Sequence, residues 1–400
     1  MLLMSSNTYD VIIIGAGAAG LMCAADLFNE DPTFKVLVID RNSKPGRKLL
    51  ATGNGRCNFT NRSISSSCYN TDDEKRLVRI LHTYNTGKIT DWFEKNLGII
   101  TDYKNDLAYP ITYQSKTVAD ALYNAASKAR FEFNTEVTSV VKNGMHYVVN
   151  GCYESDNVVF ACGGVSLPDS GSNGSLFPVI RSFSGEDSFT SLLPSLVPLK
   201  SSDKDIKRLS GLRQECIVKM SGYEERGEIL FTDYGISGIC VMQLSGIYNR
   251  SLASGKKIDH LSVDLIPSMD IKKKKTVVDD LLRRFSDRGN ADALSGLLKK
   301  PLAKVVVMRS DGTSGSIAGI IDDFRISLNG SLGFENSQVT SGGLKLKKMT
   351  DGLGIKGCPG LYVCGEALNV DGICGGYNLH WAWASALTVS AAIGEESEVE

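Results

Sequence analysis

The chain has little proline, little histidine and no long apolar run. Ten prolines against 40 glycines in 400 residues suit tight turns and close backbone approaches and exclude a low-complexity or disordered polymer. The four histidines, at 82, 146, 260 and 380, never stand at ligand spacing with another His or Cys, so no metal site is expected. Ten cysteines occur without a single C-x-x-C pair, which excludes a dense disulfide framework and points to reduced thiols. Neither sign of charge prevails, with 44 Lys and Arg against 45 Asp and Glu, so no global field marks a nucleic-acid or membrane binder. The apolar stretch Val11 to Ala25 is too short and too glycine-rich to span a bilayer, and Met1 to Tyr9 lacks a basic leader. A soluble cytoplasmic protein is expected. H-E-x-x-H, the P-loop lysine motif and G-x-S-x-G are all missing, which sets hydrolase and NTPase chemistry aside. The length favours two or three domains.

What is present begins at the N-terminus. Tyr9 to Ile14 is a strand-like apolar run that enters Gly15-Ala16-Gly17-Ala18-Ala19-Gly20. A helix follows through Phe28, then a second strand, Lys35 to Ile39, ending in Asp40. With glycine this common, G-x-G-x-x-G arises about 0.4 times by chance, so the motif gains its weight from the strand, helix, second strand and terminal acid around it. In that unit Gly15 permits the turn, Gly17 admits a pyrophosphate and Gly20 lets helix and strand pack closely. The helix start at Ala18 and Ala19 supplies N–H donors, and Asp40 reaches the adenosine ribose. A second match, Gly352 to Gly357, has no strand before it and meets Pro359 soon after; it reads as a loop.

The segment Arg41 to Asn58 carries Arg41, Lys44, Arg47, Lys48 and Arg56 among turn residues and can wrap an extended anionic ligand. Between Glu136 and Gly164, Asn143-Gly144 and Asn150-Gly151 separate β-rich runs, giving a three-stranded meander. A meander in place of further βαβ repeats favours FAD over NAD. Near the other end, Gly360 to Val363 is a strand leading to Gly365 and Glu366, and Gly375 to Leu379 opens a helix over His380 to Ala392. Glu366 can meet ribityl hydroxyls, and the helix start can face the flavin N1 and C2 carbonyl, stabilising the reduced anion.

Gly46 to Leu50, Gly53 to Asn58 (GNGRCN), Leu230 to Gly238, Val339 to Gly343, Gly360 to Glu366 and Asp371 to Leu379 together resemble the bacterial FAD-binding family labelled aminoacetone-oxidase-like or BaiN-like. Some of its members are described as ribosomal RNA dihydrouridine synthases. The resemblance covers nearly the whole chain. It implies an α/β fold: a glutathione-reductase-type, Rossmann-like FAD-binding domain with a β-meander, from residues 1–190 and 339–400. An inserted β-rich domain, 191–338, carries a helical subdomain at about 270–304. The expected cofactor-binding set is Gly15, Gly17, Ala18, Ala19, Gly20, Asp40, Arg41, Lys48, Gly55, Arg56, Cys57, Asn58, Val137, Ala161, Gly163, Gly365, Glu366, Gly376, Tyr377, Asn378 and Leu379. The sequence departs from the family where Asn369 replaces an acid, where His380 replaces a glutamine, and between Gly171 and Ser184, where Pro178 interrupts the expected helix.

No second dinucleotide fold appears, so NAD(P)H is expected only as a transient reductant of non-covalent FAD. Cys57, Cys162, Cys364 and Cys374 lie in the expected FAD motifs as unreactive thiols, and no residue is assigned as catalytic. Between Asp270 and Lys304 ten basic residues outnumber five acids. This excess, with the resemblance, favours reduction of uridine to dihydrouridine in large ribosomal RNA. The alternatives are a small-molecule amine oxidase or enone reductase, and an FAD-bound RNA-binding or structural protein without turnover.

Overall fold

A computed structural model describes residues 7–397. Two compact units divide the chain: one runs to Leu192 and resumes at Val339, and the other is Leu193–Gln338.

The first unit is built on a seven-stranded sheet. Strand β1 (Thr8–Ile14) leads through the glycine turn into helix α1 (Ala18–Glu30), which returns the chain to β2 (Val36–Ile39). Val11 to Ile14 are buried because both edges and both faces of β1 are covered, as a continuous apolar run requires. Three short strands follow: β3 (Thr60–Asn61), β4 (Thr101–Lys104) and β5 (Leu107–Pro110). They form a small antiparallel sheet in the order β3-β5-β4. Strand β6 (Arg130–Glu132) then pairs in parallel with β2. The expected meander is present as β7 (Val140–Asn143), β8 (His146–Val149) and β9 (Tyr153–Phe160), turning at the two Asn-Gly positions. The first half of β9 closes the meander against β8. Its second half, Val158 to Phe160, lies parallel to β1 on one side and to β10 (Leu361–Val363) on the other.

Gly171 to Ser184 does contain a helix, α2 (Phe177–Ser184), with Pro178 in its first turn. Proline is tolerated there because the N–H it lacks has no intrahelical acceptor anyway. The C-terminal helix α3 (Tyr377–Ser397) starts three residues earlier than its sequence pattern suggests and packs against α1. Trp381 and Trp383 are buried, each donating its indole N–H to a backbone carbonyl, those of Gly365 and Phe59. Residues 352–357 form a turn, with Thr350 N–H bonded to Gly354 O, as their lack of a preceding strand implies.

The second unit has a seven-stranded sheet of its own and a separate apolar core. Arg213–Met220 and Tyr223–Phe231 form its central hairpin, and His260–Asp264 and Phe324–Ser327 extend it antiparallel. The helical part is larger than residues 270–304. Ile271–Arg284 and Lys300–Arg309 lie within or across that span, and Ser314–Asp322 adds a further helix before the sheet resumes. No helix among the described residues is long and apolar enough to cross a membrane.

Candidate functional site

Four loops of the first unit leave the same end of the parallel strands: 15–20 after β1, 40–42 after β2, 161–164 after β9 and 364–366 after β10. Ligands of open α/β sheets bind outside these carboxyl ends. The glycine turn shows a distinct constraint at each glycine. Gly15 has φ +114°, and a Cβ there would stand 2.5 Å from Ala161 O. A Cβ on Gly20 would stand 1.8 Å from Gly15 O, so only glycine lets the helix come this close to the strand. Around Gly17 a Cβ would meet nothing within 4 Å. Gly17 is also the N-cap of α1 with no side-chain cap, leaving the N–H groups of Ala18 and Ala19 pointing into that space with the positive end of the helix dipole.

The Asp40 carboxylate stands beside this turn, accepting Ala16 N–H on Oδ2 and Asn42 N–H on Oδ1, both at 2.7 Å. Each oxygen keeps a lone pair for a further donor. Arg41 reaches Glu136 at 3.5 Å, and backbone bonds from Asn134 to Asn42 and from Thr135 to Asp40 bring the buried Val137 segment alongside. The basic segment is drawn in as well, because Gly46 N–H bonds Ala16 O at 2.8 Å. Lys48 Nζ pairs with Glu366 Oε2 at 2.6 Å, 318 positions away in sequence. Glu366 Oε1 accepts Thr340 N–H at 2.8 Å, and Thr340 Oγ1 in turn accepts the N–H groups of Val165 and Ser166. Sequence reading named Lys48 and Glu366 separately but missed their pairing and the part of Thr340, which no local pattern encodes.

Gly55, Arg56, Cys57 and Asn58 gather with the start of α3 at the other end of the site. A Cβ on Gly376 (φ +93°) would lie 2.5 Å from Thr60 O and 2.9 Å from Asn58 Oδ1, so this glycine is required for contact with β3. The Cys57 side chain is fully buried in the core, and burial pushes its thiol up to about 12. Burial likewise raises Cys162, to about 12, and Cys364 and Cys374. The Asn378 side chain holds the preceding loop, its Oδ1 accepting Gly372 N–H at 2.8 Å and its Nδ2 donating to Gly372 O at 2.9 Å. Gly365 is fixed between β10 and α3, its N–H donating to Ser385 Oγ at 2.9 Å.

Three buried side-chain oxygens in this region, those of Asn58, Ser170 and Ser172, have no hydrogen-bond partner among the described residues. Asn58 Oδ1 lies at the α3 end, and Ser172 Oγ lies where it would sit 2.7 Å from a Cβ on Gly163. Open helix N–H groups at one end, unpartnered oxygens along the length and basic side chains between them fit an extended, anionic, many-hydroxyl ligand such as FAD.

Fold and site define a Rossmann-type dinucleotide-binding protein whose loops fit FAD. Within that class, the HI0933-like protein Rossmann domain model matches residues 9–392, and the chain belongs to that family. It is 29% identical over 406 residues to the 3-dehydro-bile acid delta(4,6)-reductase of Clostridium scindens, covering 96% of this chain and 98% of the relative. It is 28% identical to the ribosomal RNA dihydrouridine synthase of Escherichia coli, covering 94% and 96%. Among solved structures, 3-ketosteroid-delta4-(5alpha)-dehydrogenase from Rhodococcus jostii superposes with TM-score 0.51 at 13% identity over 98% of both chains, a likeness of fold.

Proposed function

We propose that the first unit binds FAD non-covalently and reduces an electron-poor C=C bond conjugated to a carbonyl, with NAD(P)H as a transient reductant. The observation that carries the reading is the uncapped start of α1 over open space at Gly17, flanked by Asp40 and by the Lys48–Glu366 pair. In this reading Ala18 and Ala19 donate to the pyrophosphate, Asp40 accepts from the adenosine ribose, and Glu366 accepts from ribityl hydroxyls while Lys48 holds it in place. The N–H groups at Tyr377 to Leu379 face the pyrimidine edge of the flavin. Bound FAD supplies a centre for two-electron hydride transfer. The substrate class follows from what the relatives' names share, since a dienone steroid and uridine both present a C=C bond in conjugation with a carbonyl.

The test is anaerobic. The purified protein is expected to be yellow, to bleach with NADH or NADPH, and to recover its colour on addition of a steroid dienone or cyclohexenone. A protein that takes up no FAD on reconstitution, or whose reduced form is reoxidised by neither compound, overturns the reading.

Uridine in ribosomal RNA is the second reading, favoured by Lys272, Lys273 and Lys275, which are exposed on the Ile271–Arg284 helix and make no ion pair among the described residues. Four of the other seven basic residues of the expected patch are held in ion pairs. Lys274 is buried between Asp264 and Asp322, Arg283 and Arg284 both pair with Asp280, and Lys300 pairs with Asp292. The charge available to phosphates is therefore smaller than the ten-to-five count suggests. Mass spectrometry of ribosomal RNA from cells with and without the gene separates the two substrates, with loss of one dihydrouridine supporting RNA.

A further inference from the structure

We propose that Tyr109 is the proton donor of this site, giving its phenolic proton to the α-carbon of the conjugated C=C bond. The proposal rests on the reading that the first unit binds FAD and reduces such a bond.

Strand β5 is the middle strand of its sheet, and register decides which way its side chains face. Leu107 lies opposite Asn61 of β3 and Lys104 of β4, and Tyr109 lies opposite Asp102. Directly opposed residues share a face and alternate ones along a strand do too, so Asn61, Leu107, Tyr109, Asp102 and Lys104 lie together. Thr60 and Ala108 occupy the other face, where Thr60 meets His380 of α3. The Tyr109 face looks onto the turn before α3. Asn61 Nδ2 donates to Gly375 O at 2.9 Å, and Leu107 Cδ2 would lie 3.3 Å from a Cβ on Gly375. This places Tyr109 beside the segment proposed to hold the reactive end of the flavin.

Two tyrosines stand here, with ring centroids 5.3 Å apart, and their chemistry differs. The Tyr113 hydroxyl is already donated to Asp102 Oδ2, which pushes it up to about 12. The Tyr109 hydroxyl bonds no described residue. Partial burial holds its pKa above the ordinary phenol value, the Arg56 guanidinium offsets part of that rise, and the Cys374 thiol adds to it. Arg56 belongs to the GNGRCN segment and has no carboxylate partner among the described residues. It is therefore placed to stabilise the phenolate once the proton has gone.

The balance of the step is simple. The β-carbon gains a hydride from the flavin, whose two electrons trace to NAD(P)H. The α-carbon gains the Tyr109 proton as the O–H bond breaks and a C–H bond forms. The phenolate beside Arg56 then takes a proton from solvent. Reoxidation by dioxygen needs no such proton on carbon, and that difference provides the control.

In the Tyr109→Phe holoprotein, flavin content, thermal stability, bleaching by NAD(P)H and reoxidation by dioxygen are expected to match wild type. Anaerobic reoxidation by cyclohexenone or a steroid dienone is expected to fall about 10²–10⁴-fold, the usual contribution of a positioned acid. Independently of turnover, an ultraviolet pH titration of the apoprotein should lose one phenol transition in Tyr109→Phe; Arg56→Gln should move that transition to higher pH and Arg56→Lys should leave it. Unchanged enone reoxidation in Tyr109→Phe overturns the proposal alone, as does an equal loss of the enone and dioxygen rates. A wild-type protein that binds no FAD overturns the parent reading and this proposal with it.

Discussion

Gly17 and Gly20 are three positions apart in one turn, yet they answer to different demands. At Gly20 an added methyl would drive into the Gly15 carbonyl, and no flexible side chain is there to yield. At Gly17 the same methyl would occupy open space at ordinary helix-entry dihedrals, φ −82° and ψ −166°. Gly17→Ala should therefore leave the stability of the apoprotein within about 0.5 kcal/mol of wild type and lower FAD affinity at least tenfold. Gly20→Ala should lower apoprotein stability by more than about 2 kcal/mol. Thermal melts and flavin-fluorescence titrations of both variants check this, and equal behaviour of the two would contradict the assigned roles. His380 offers a second contrast at this scale. It is fully buried, Nδ1 shares a hydrogen bond with Thr60 Oγ1 at 2.8 Å, and burial lowers its pKa from 6.5 to about 4. Across that window the unfolded chain takes up a proton that the folded chain refuses, so stability falls as pH falls, by about 3 kcal/mol at most. Above pH 6.5 and below pH 4 this contribution is flat. His380→Gln should remove it, and denaturant melts of both proteins at pH 7 and pH 4.5 will show whether the wild type loses more.

Single elements show where sequence could be read and where it could not. The glycine turn, the terminal acid and the meander were legible because each rests on a local pattern: a period, a turn dipeptide or a fixed spacing. Helix α2 was not, because Pro178 reads as a breaker until the helix start is located one residue before it. Tyr109 could have been noticed from the alternation Leu107-Ala108-Tyr109, but which face mattered depended on the register with β3 and β4. The run Lys272 to Lys275 looks uniformly solvated. Helical geometry sets Lys274 above Val278, four positions on, and both are buried. Lys274 Nζ lies 2.6 Å from Asp264 and 2.6 Å from Asp322. Removing one member of such a cluster strands the others, so Lys274→Met should destabilise the second unit by about 3–5 kcal/mol. Changing Lys272, Lys273 and Lys275 together to Gln should cost well under that. Denaturant melts that rank the four lysines equally would disprove the burial argument.

At the scale of the whole molecule, each unit carries its own sheet and its own apolar core, so each has the means to unfold cooperatively by itself. Every residue proposed to contact FAD belongs to the first unit, on segments before Leu192 or after Val339. A ligand that binds only the folded state raises stability by mass action, about 2.7 kcal/mol when its free concentration is 100 times its dissociation constant. For a unit of some 250 residues that amounts to about 5–10 °C. Calorimetry of the apoprotein should therefore resolve two transitions, and FAD should raise one and leave the other in place. The Lys274→Met protein supplies the assignment, since its substitution lowers the transition that FAD does not move. If FAD instead shifts a single transition, or both by the same amount, the units share one cooperative core and the second unit's independence, inferred from its separate sheet, is wrong.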